Sequence, residues 1–454
     1  MAKDSLINDF TEGKVFGKLV RFATPLFLSN LLQIVYNMMD MIIVGHKLGK
    51  PGLSAVSVGG DVSSFLTFLA IGFSNAGQVI ISQYIGAKQR DKIARFVGTM
   101  FTFLMSVAVL ISVVCLFLRE PILKAMRTPD EAFAEALNYS SVCMIGMVFI
   151  YGYNIVSAVL RGMGDSARPF IFISIAAVMN ILLDLLFVLI FDMGSGGAAL
   201  ATVISQAASF ILCAVYIIRN RRKYEMEILP REFFRIDSGM LLRLVKLGLP
   251  MAVKFASVHL SKLFVNSFVN SFGLAVSAFA GVANKINSTS NLVSNAFNTA
   301  GSSMVGQNIA AGRYDRVRRV MLSIFAITLC AATAFTLAFV FFPEQIYGIF
   351  SDDAEVVRIG ITYLPIAVLI FYGSAARSGM NALINGSGNT IVNFATAIFD
   401  GIILRIGLAA LFGLALNMGA MGFWLGDALA GFTPLVIGIV FYFSGKWKKN
   451  KNVV

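Results

Sequence analysis

Charge is what this chain has least of. Only 13% of its 454 residues are Asp, Glu, Lys or Arg, against 57% that are hydrophobic, and a soluble domain needs more charge than that to cover its surface. Histidine occurs twice and cysteine four times, with no Cys/His cluster, so a zinc-type metal centre is not expected. Cys115, Cys143, Cys213 and Cys330 all lie inside apolar blocks, which argues for free buried thiols and against a disulfide framework. The sequence contains no G-x-x-x-x-G-K-[ST] phosphate loop and no G-x-S-x-G nucleophile motif. Neither ATP hydrolysis nor acyl-transfer chemistry is therefore expected, and the chain reads as a non-enzyme with no cofactor. Ten-residue alternating strands, the mark of a membrane barrel, are missing too. Residues 1–17 are polar and mixed in charge, so the first apolar block reads as the first span and no cleavable signal is expected.

What is present is long apolar runs, such as 101–118, 171–191 and 320–342. About 20 apolar residues suffice for a helix to cross the hydrocarbon core. Twelve such spans are expected between about 16–40 and 420–443, giving an all-α membrane protein. The formal net charge of +13 alternates by loop. Basic residues gather at Lys3, Lys14, Lys18 and Arg21, at Lys88, Arg90, Lys92 and Arg95, and at Arg161 and Arg168. The next groups are Arg219, Arg221, Arg222, Lys223, Arg231 and Arg235, then Arg313, Arg316, Arg318 and Arg319, and finally Lys446, Lys448, Lys449 and Lys451. The intervening loops are poorer in them, and two are acidic, with Asp130, Glu131 and Glu135 in one and Glu344, Asp352, Asp353 and Glu355 in the other. The positive-inside rule then puts both termini in the cytoplasm of a prokaryotic inner (plasma) membrane. The basic residues read as topology signals, not as a nucleic-acid surface.

The chain repeats itself. KLVRFATP at Lys18 aligns with RLVKLGLP at Arg243, QYIGAKQRDKI at Gln83 with QNIAAGRYDRV at Gln307, RGMGD at Arg161 with NGSGN at Asn385, and MGSGG at Met193 with MGAMG at Met418, all at an offset of 224 or 225. Two six-helix lobes are expected, 1–218 and 240–443, joined by a cytoplasmic linker 219–239 and followed by a basic tail 444–454. Six is even, so the repeats are parallel, an arrangement suited to two bundles rocking around a central cavity. Pro25 and Pro250 occupy equivalent places in the first helix of each half. Proline removes an intrahelical bond, so each is a candidate hinge, with a static kink as the alternative.

Polar groups within a span face a cavity or one another. Gln33, Asn37 and Asp40 share one face of the first helix with Asn30, and Tyr36 borders it. Asn180 and Asp184 are i,i+4, as are Thr202 and Gln206. One amide, two carboxylates and a hydroxyl suit an oxygen-rich cation site or a carboxylate that takes up a proton; Asp40 capping a helix near the membrane edge is the alternative. In the second half, at the offset of 225, Asp40 maps to Val265, Asn180 to Arg405, Asp184 to Ala409 and Thr202 to Asp427. Arg405 pairing with Asp427, or with its rival Asp400, would neutralise that site and leave one cation site, in the N-terminal half. An amide stripe, Asn284, Asn287, Asn291, Asn295 and Asn298, lies on one helix face. It either lines the substrate cavity, the preferred reading, or packs helices by hydrogen bonds. Lys285 borders this stripe and maps onto Asp61, and the two are expected to approach across the cavity. Lys254 and Lys262 either join that cavity or snorkel.

Taken together, YNMMDMIIVG in the first helix, ISQYIGAKQR with its twin VGQNIAAGR, VLRGMGD, and twelve helices in two lobes resemble the multidrug and toxic compound extrusion (MATE) transporters over nearly the full length. The resemblance implies an outward-directed antiporter driven by Na⁺ or H⁺, with amphipathic, typically organic-cation, substrates. It implies a Na⁺ or H⁺ site at Asp40, Asn180, Asp184 and Thr202. The expected partners are a small-molecule substrate and membrane lipid, no nucleic acid, and the expected state is a monomer. The lysines leave room for anionic or zwitterionic cargo, and a lipid-linked precursor flippase of the same superfamily is the alternative function.

Overall fold

The computed structural model describes residues 5–126, 128–226, 236–351 and 353–448. Lys3, Arg231, Arg235, Lys449, Lys451 and Asp352, with parts of the expected linker and tail, lie outside the described residues. Among the described residues every regular element is helical. Among the described residues nine helices are long and apolar enough to cross a membrane by length and composition, which makes the chain a multi-pass membrane protein. This count differs from the expected twelve for definite reasons. The helix Val15–Gly86 has 72 residues, or roughly 108 Å at 1.5 Å per residue, far beyond a hydrocarbon core of about 30 Å. It is broken only at Gly49, whose φ of 61° and ψ of −146° leave the helical region, so it holds two expected spans. Ser238–Val269 and Leu274–Ala310, of 32 and 37 residues, are long enough but too polar to be counted by hydropathy.

The internal repeat extends to backbone detail. Non-glycine residues with positive φ include Asp192 (53°) and Asn417 (52°), 225 residues apart. Gly49 and Gly273, 224 apart, both have positive φ (61° and 113°) and stand between successive long helices, where an L side chain would be strained. A Cβ on Gly162 would lie 2.9 Å from the carbonyl oxygen of Gln78, and a Cβ on Gly386 would lie 2.7 Å from that of Ser302. Both pairs are themselves separated by 224. The RGMGD and NGSGN motifs are thus places where two helices come into backbone contact. A π-helical turn follows Asp184 at Leu185–Ile190, and another recurs at Leu411–Ala415. A third, Phe399–Ile403, has no counterpart in the first half and contains Asp400.

The helices form two compact units, but not with the boundaries expected at 218 and 240. One unit comprises Met1–Asp9 and Leu28–Gly248, and the other Phe10–Phe27 and Leu249–Val454. The start of each half's first helix therefore belongs to the unit built by the other half. In the second unit Phe10, Leu19, Phe22 and Leu26 join Met304, Ile324, Phe441 and Trp447 in one apolar core. Arg316 fastens the same segment, donating to the carbonyls of Phe10, Glu12 and Gly13 at 2.8–2.9 Å. In the first unit a Cβ on Gly248 would press against the ring of Phe73 at 2.5 Å, and Asp237 pairs with Arg95 at 2.9 Å. The chain crosses between units two residues after Pro25 and two residues before Pro250. The helix runs through Pro25 with helical dihedrals.

Candidate functional site

Three helices of the first unit bring Asp40, Asn180, Asp184 and Thr202 together. Asp40 lies nine residues before the break at Gly49, in mid-helix, so it is not a helix cap. Asn180 and Asp184 lie on Ala167–Asp184, and Thr202 lies on Gly194–Arg219. The Thr202 hydroxyl donates to Asp40 Oδ2 at 3.3 Å, and Asn180 Nδ2 donates to Thr202 Oγ1 at 3.4 Å. Asp40 and Asp184 are close enough to act on each other electrostatically. Their exposures are 3% and 0%, and that of Asn180 is 2%. Four oxygens there have no hydrogen-bond partner: Asp40 Oδ1, Asn180 Oδ1 and both carboxylate oxygens of Asp184. Buried polar atoms are rarely left so, and two neighbouring carboxylates repel unless positive charge lies between them. The donor set, all oxygen, suits a hard monovalent cation or a shared proton.

Sequence reasoning missed what surrounds this cluster. Tyr139 and Cys143, from the helix Asp130–Gly162, are buried beside it with Ile43, Val44 and Val188. Nothing in the local sequence marked Tyr139, which is one polar tip in an apolar run. Tyr36 is buried and its hydroxyl accepts from Gln206 Nε2 at 3.4 Å. Gln33 is half-buried, and Asn37 and Asp61 are exposed.

The equivalent place in the second unit is built differently. Val265 and Ala409 are part of its apolar core, at 3% and 0% exposure. Arg405, only 2% exposed, donates to Asp400 at 2.9 Å and at closer range to Asp427. Both candidate partners are thus engaged at once.

The amide stripe divides. Asn287 is buried and Asn291 half-buried, while Asn295 and Lys285 are exposed. Asn291 donates to Asn287 at 2.7 Å and accepts from Ser374 at 2.9 Å and from Arg377. Asn291 therefore works as an interhelical hydrogen-bond hub, the reading that was not preferred. Arg377, absent from the sequence expectations, lies in the helix Ala354–Ser387, far along from the Glu355 and Arg358 of its first turns. Asn287 lines a narrow recess with Lys262, Asn266, Asn284, Asp427 and Trp424.

A family model, MatE, matches residues 25–186 and again 250–411. The chain is 29% identical over 443 residues to the probable multidrug resistance protein YpnP of Bacillus subtilis, covering 98% of each. It is also 29% identical to the probable multidrug resistance protein YoeA of the same organism, covering 95% of this chain and 94% of YoeA. Its fold superposes with a TM-score of 0.89 on a MOP superfamily transporter from Pyrococcus furiosus described as having a binding pocket of reverse polarity. That pair is 23% identical, covering 97% of this chain and 98% of the other.

Proposed function

The chain belongs to the MatE family, whose members are transporters and not enzymes, and from that premise we propose that it exports amphipathic small molecules by antiport with Na⁺ or H⁺. Two similar relatives are named as probable multidrug resistance proteins, which supports efflux as the direction. The observation that carries the coupling is the set of four partnerless buried oxygens on Asp40, Asn180 and Asp184. In this reading one Na⁺, or one proton held between Asp40 and Asp184, enters from outside and stabilises one conformation. Cargo stabilises the other. Each ligand shifts the equilibrium only by its differential affinity for the two states.

Pro25 and Pro250 serve as the hinges. Both lie within two residues of the positions where the first helix of each half passes from one compact unit to the other, and a proline lacks the hydrogen bond that would resist bending there. Both termini are cytoplasmic, and the second half carries no coupling ion because Arg405 already supplies the positive charge. The test is Asp40→Asn in a drug-sensitive host. Efflux of a fluorescent substrate should fall to background while membrane expression stays at the wild-type level. Undiminished efflux would remove Asp40 from the mechanism.

A further inference from the structure

The first unit has a groove on its flank that the coupling cluster does not use. It has a volume of about 320 Å³ and lies between the helices Asp130–Gly162 and Gly194–Arg219, with the head of the short helix Arg119–Ala125 at one end. Ligand cavities run upward from about 300 Å³, so the groove has room for a lipid head group. Its polar lining is Arg119, Asn138 and Ser141, and Leu137, Val142 and Leu200 belong to its apolar wall. Arg119 makes no ion pair among the described residues. Its guanidinium donates to the neutral Ser141 hydroxyl at 3.4 Å, which uses one of five N–H groups. No acid is among the lining residues. Glu135, three residues before Asn138, is engaged elsewhere: it accepts from the Ser195 amide at 2.9 Å and from the Ser195 hydroxyl at 2.6 Å.

Gly196 keeps the floor open, since a Cβ there would meet Asn138 Cβ at 3.7 Å, an ordinary contact, and nothing nearer. Past the groove both helices present apolar side chains outward. Ile145, four residues after Ser141, is 60% exposed, and Ile204, four residues after Leu200, is 37% exposed. Residues four apart share a helix face, so the three polar groups stand at the head of an apolar stripe on each helix. A planar guanidinium matches a pair of phosphate oxygens, and an amide N–H and a hydroxyl add donors of the same use. A free phosphate would leave the stripe uncovered, whereas an acyl chain covers it. Basic pockets between membrane helices hold lipid head groups in this way.

We propose that this groove binds an anionic glycerophospholipid, with Arg119, Asn138 and Ser141 donating to its phosphodiester and an acyl chain lying along Ile145 and Ile204. One guanidinium with no acid beside it matches one negative charge, which selects a lipid whose phosphodiester carries no counter-charge of its own. On the orientation proposed above the lipid belongs to the outer leaflet. Binding itself does not depend on that orientation or on transport.

The test is photolabelling of the purified full chain in maltoside micelles by phosphatidylglycerol that carries a diazirine on one acyl chain. Labelled peptides are mapped by mass spectrometry. Label should concentrate on residues 137–145 and 196–204 and should saturate. Arg119→Gln should raise the half-saturating concentration by about ten-fold, as loss of a charge-assisted hydrogen bond implies. Gly196→Leu keeps all three donors and fills the floor, and it should abolish label at these peptides while the protein elutes as wild type on size exclusion. Phosphatidylcholine with the same diazirine should label more weakly than phosphatidylglycerol. Glycerol phosphate should fail to compete at concentrations where unlabelled phosphatidylglycerol competes fully. Label spread evenly over the outward helix faces, or wild-type half-saturation in both variants, overturns the proposal. Competition by glycerol phosphate equal to that by the lipid overturns it too, because the ligand is then a soluble phosphate ester.

Discussion

Arg405 donates to Asp427 across the same interval of 22 residues at which Asn180 donates to Thr202. Both members of one pair lie 225 positions from the members of the other. The donor and acceptor directions are kept while the chemistry changes from amide and hydroxyl to guanidinium and carboxylate. In the first half this hydrogen bond leaves Asn180 Oδ1 without a partner; in the second a permanent cation is part of the chain.

That exchange makes Arg405 structurally indispensable. Arg405→Ala leaves Asp400 and Asp427 buried without their guanidinium, a change that costs about 3–5 kcal/mol when one partner of a buried pair is removed. The expected result is a large drop in thermal stability in detergent, followed by tryptophan fluorescence or size-exclusion chromatography. Adding Asp400→Asn and Asp427→Asn should recover much of the loss. If Arg405→Ala alone unfolds at the wild-type temperature, the pairing carries no weight.

The two glycine contacts predict matched effects in the two halves. Gly386→Ala and Gly162→Ala would each push a methyl group against a helix carbonyl, at 2.7 Å and 2.9 Å, and overpacking of this kind costs about 1–3 kcal/mol. Both variants should show reduced yield of folded protein and a lower unfolding temperature. Gly60→Ala, whose Cβ meets nothing within 4 Å, is the control that should behave as wild type.

Acid should loosen the first unit at its extramembrane contacts. The Glu225 carboxyl is held below its ordinary value of 4.5 by the hydrogen bond from Arg90. That of Asp237 is held below 3.8 by the Met240 amide first and by Arg95 beside it. A carboxylate depressed on folding contributes stability above its unfolded pKa, and that stability disappears as pH falls through the folded value. Stability is therefore expected to be flat above about pH 5 for these two groups and to decline below about pH 4.5. Glu225→Gln with Asp237→Asn should lower the plateau slightly and flatten the decline, as read by thermal unfolding from pH 3 to 7. An unchanged slope in the double variant would contradict this. Glu225 is largely exposed, with 40% of its side chain accessible, so its part is small.

The repeat and the oxygen cluster were legible because both rest on fixed sequence spacing. An offset of 225 carries Asn180 onto Arg405, and i,i+4 places Asn180 and Asp184 on one helix face wherever that helix packs. What escaped depends on tertiary partners. Nothing in residues 10–27 says that Phe10, Leu19 and Phe22 pack with Trp447 and not with their own half. Nothing around Asn291 announces Arg377, 86 positions away, so a helix–helix hydrogen bond and a cavity wall looked alike. The helix count diverged where Gly49 bends one long helix, and where Lys254, Lys262 and the Asn284–Asn298 amides make two helices too polar for a hydropathy count.

Everted membrane vesicles test the central claim most directly, with dye transport followed under an imposed Na⁺ gradient and then under an imposed H⁺ gradient, for wild type and for Asp184→Asn. The account predicts that one of the two gradients drives transport in the wild type and that neither does so in the variant, with protein levels equal. Gradient-driven transport by Asp184→Asn at the wild-type rate would contradict it.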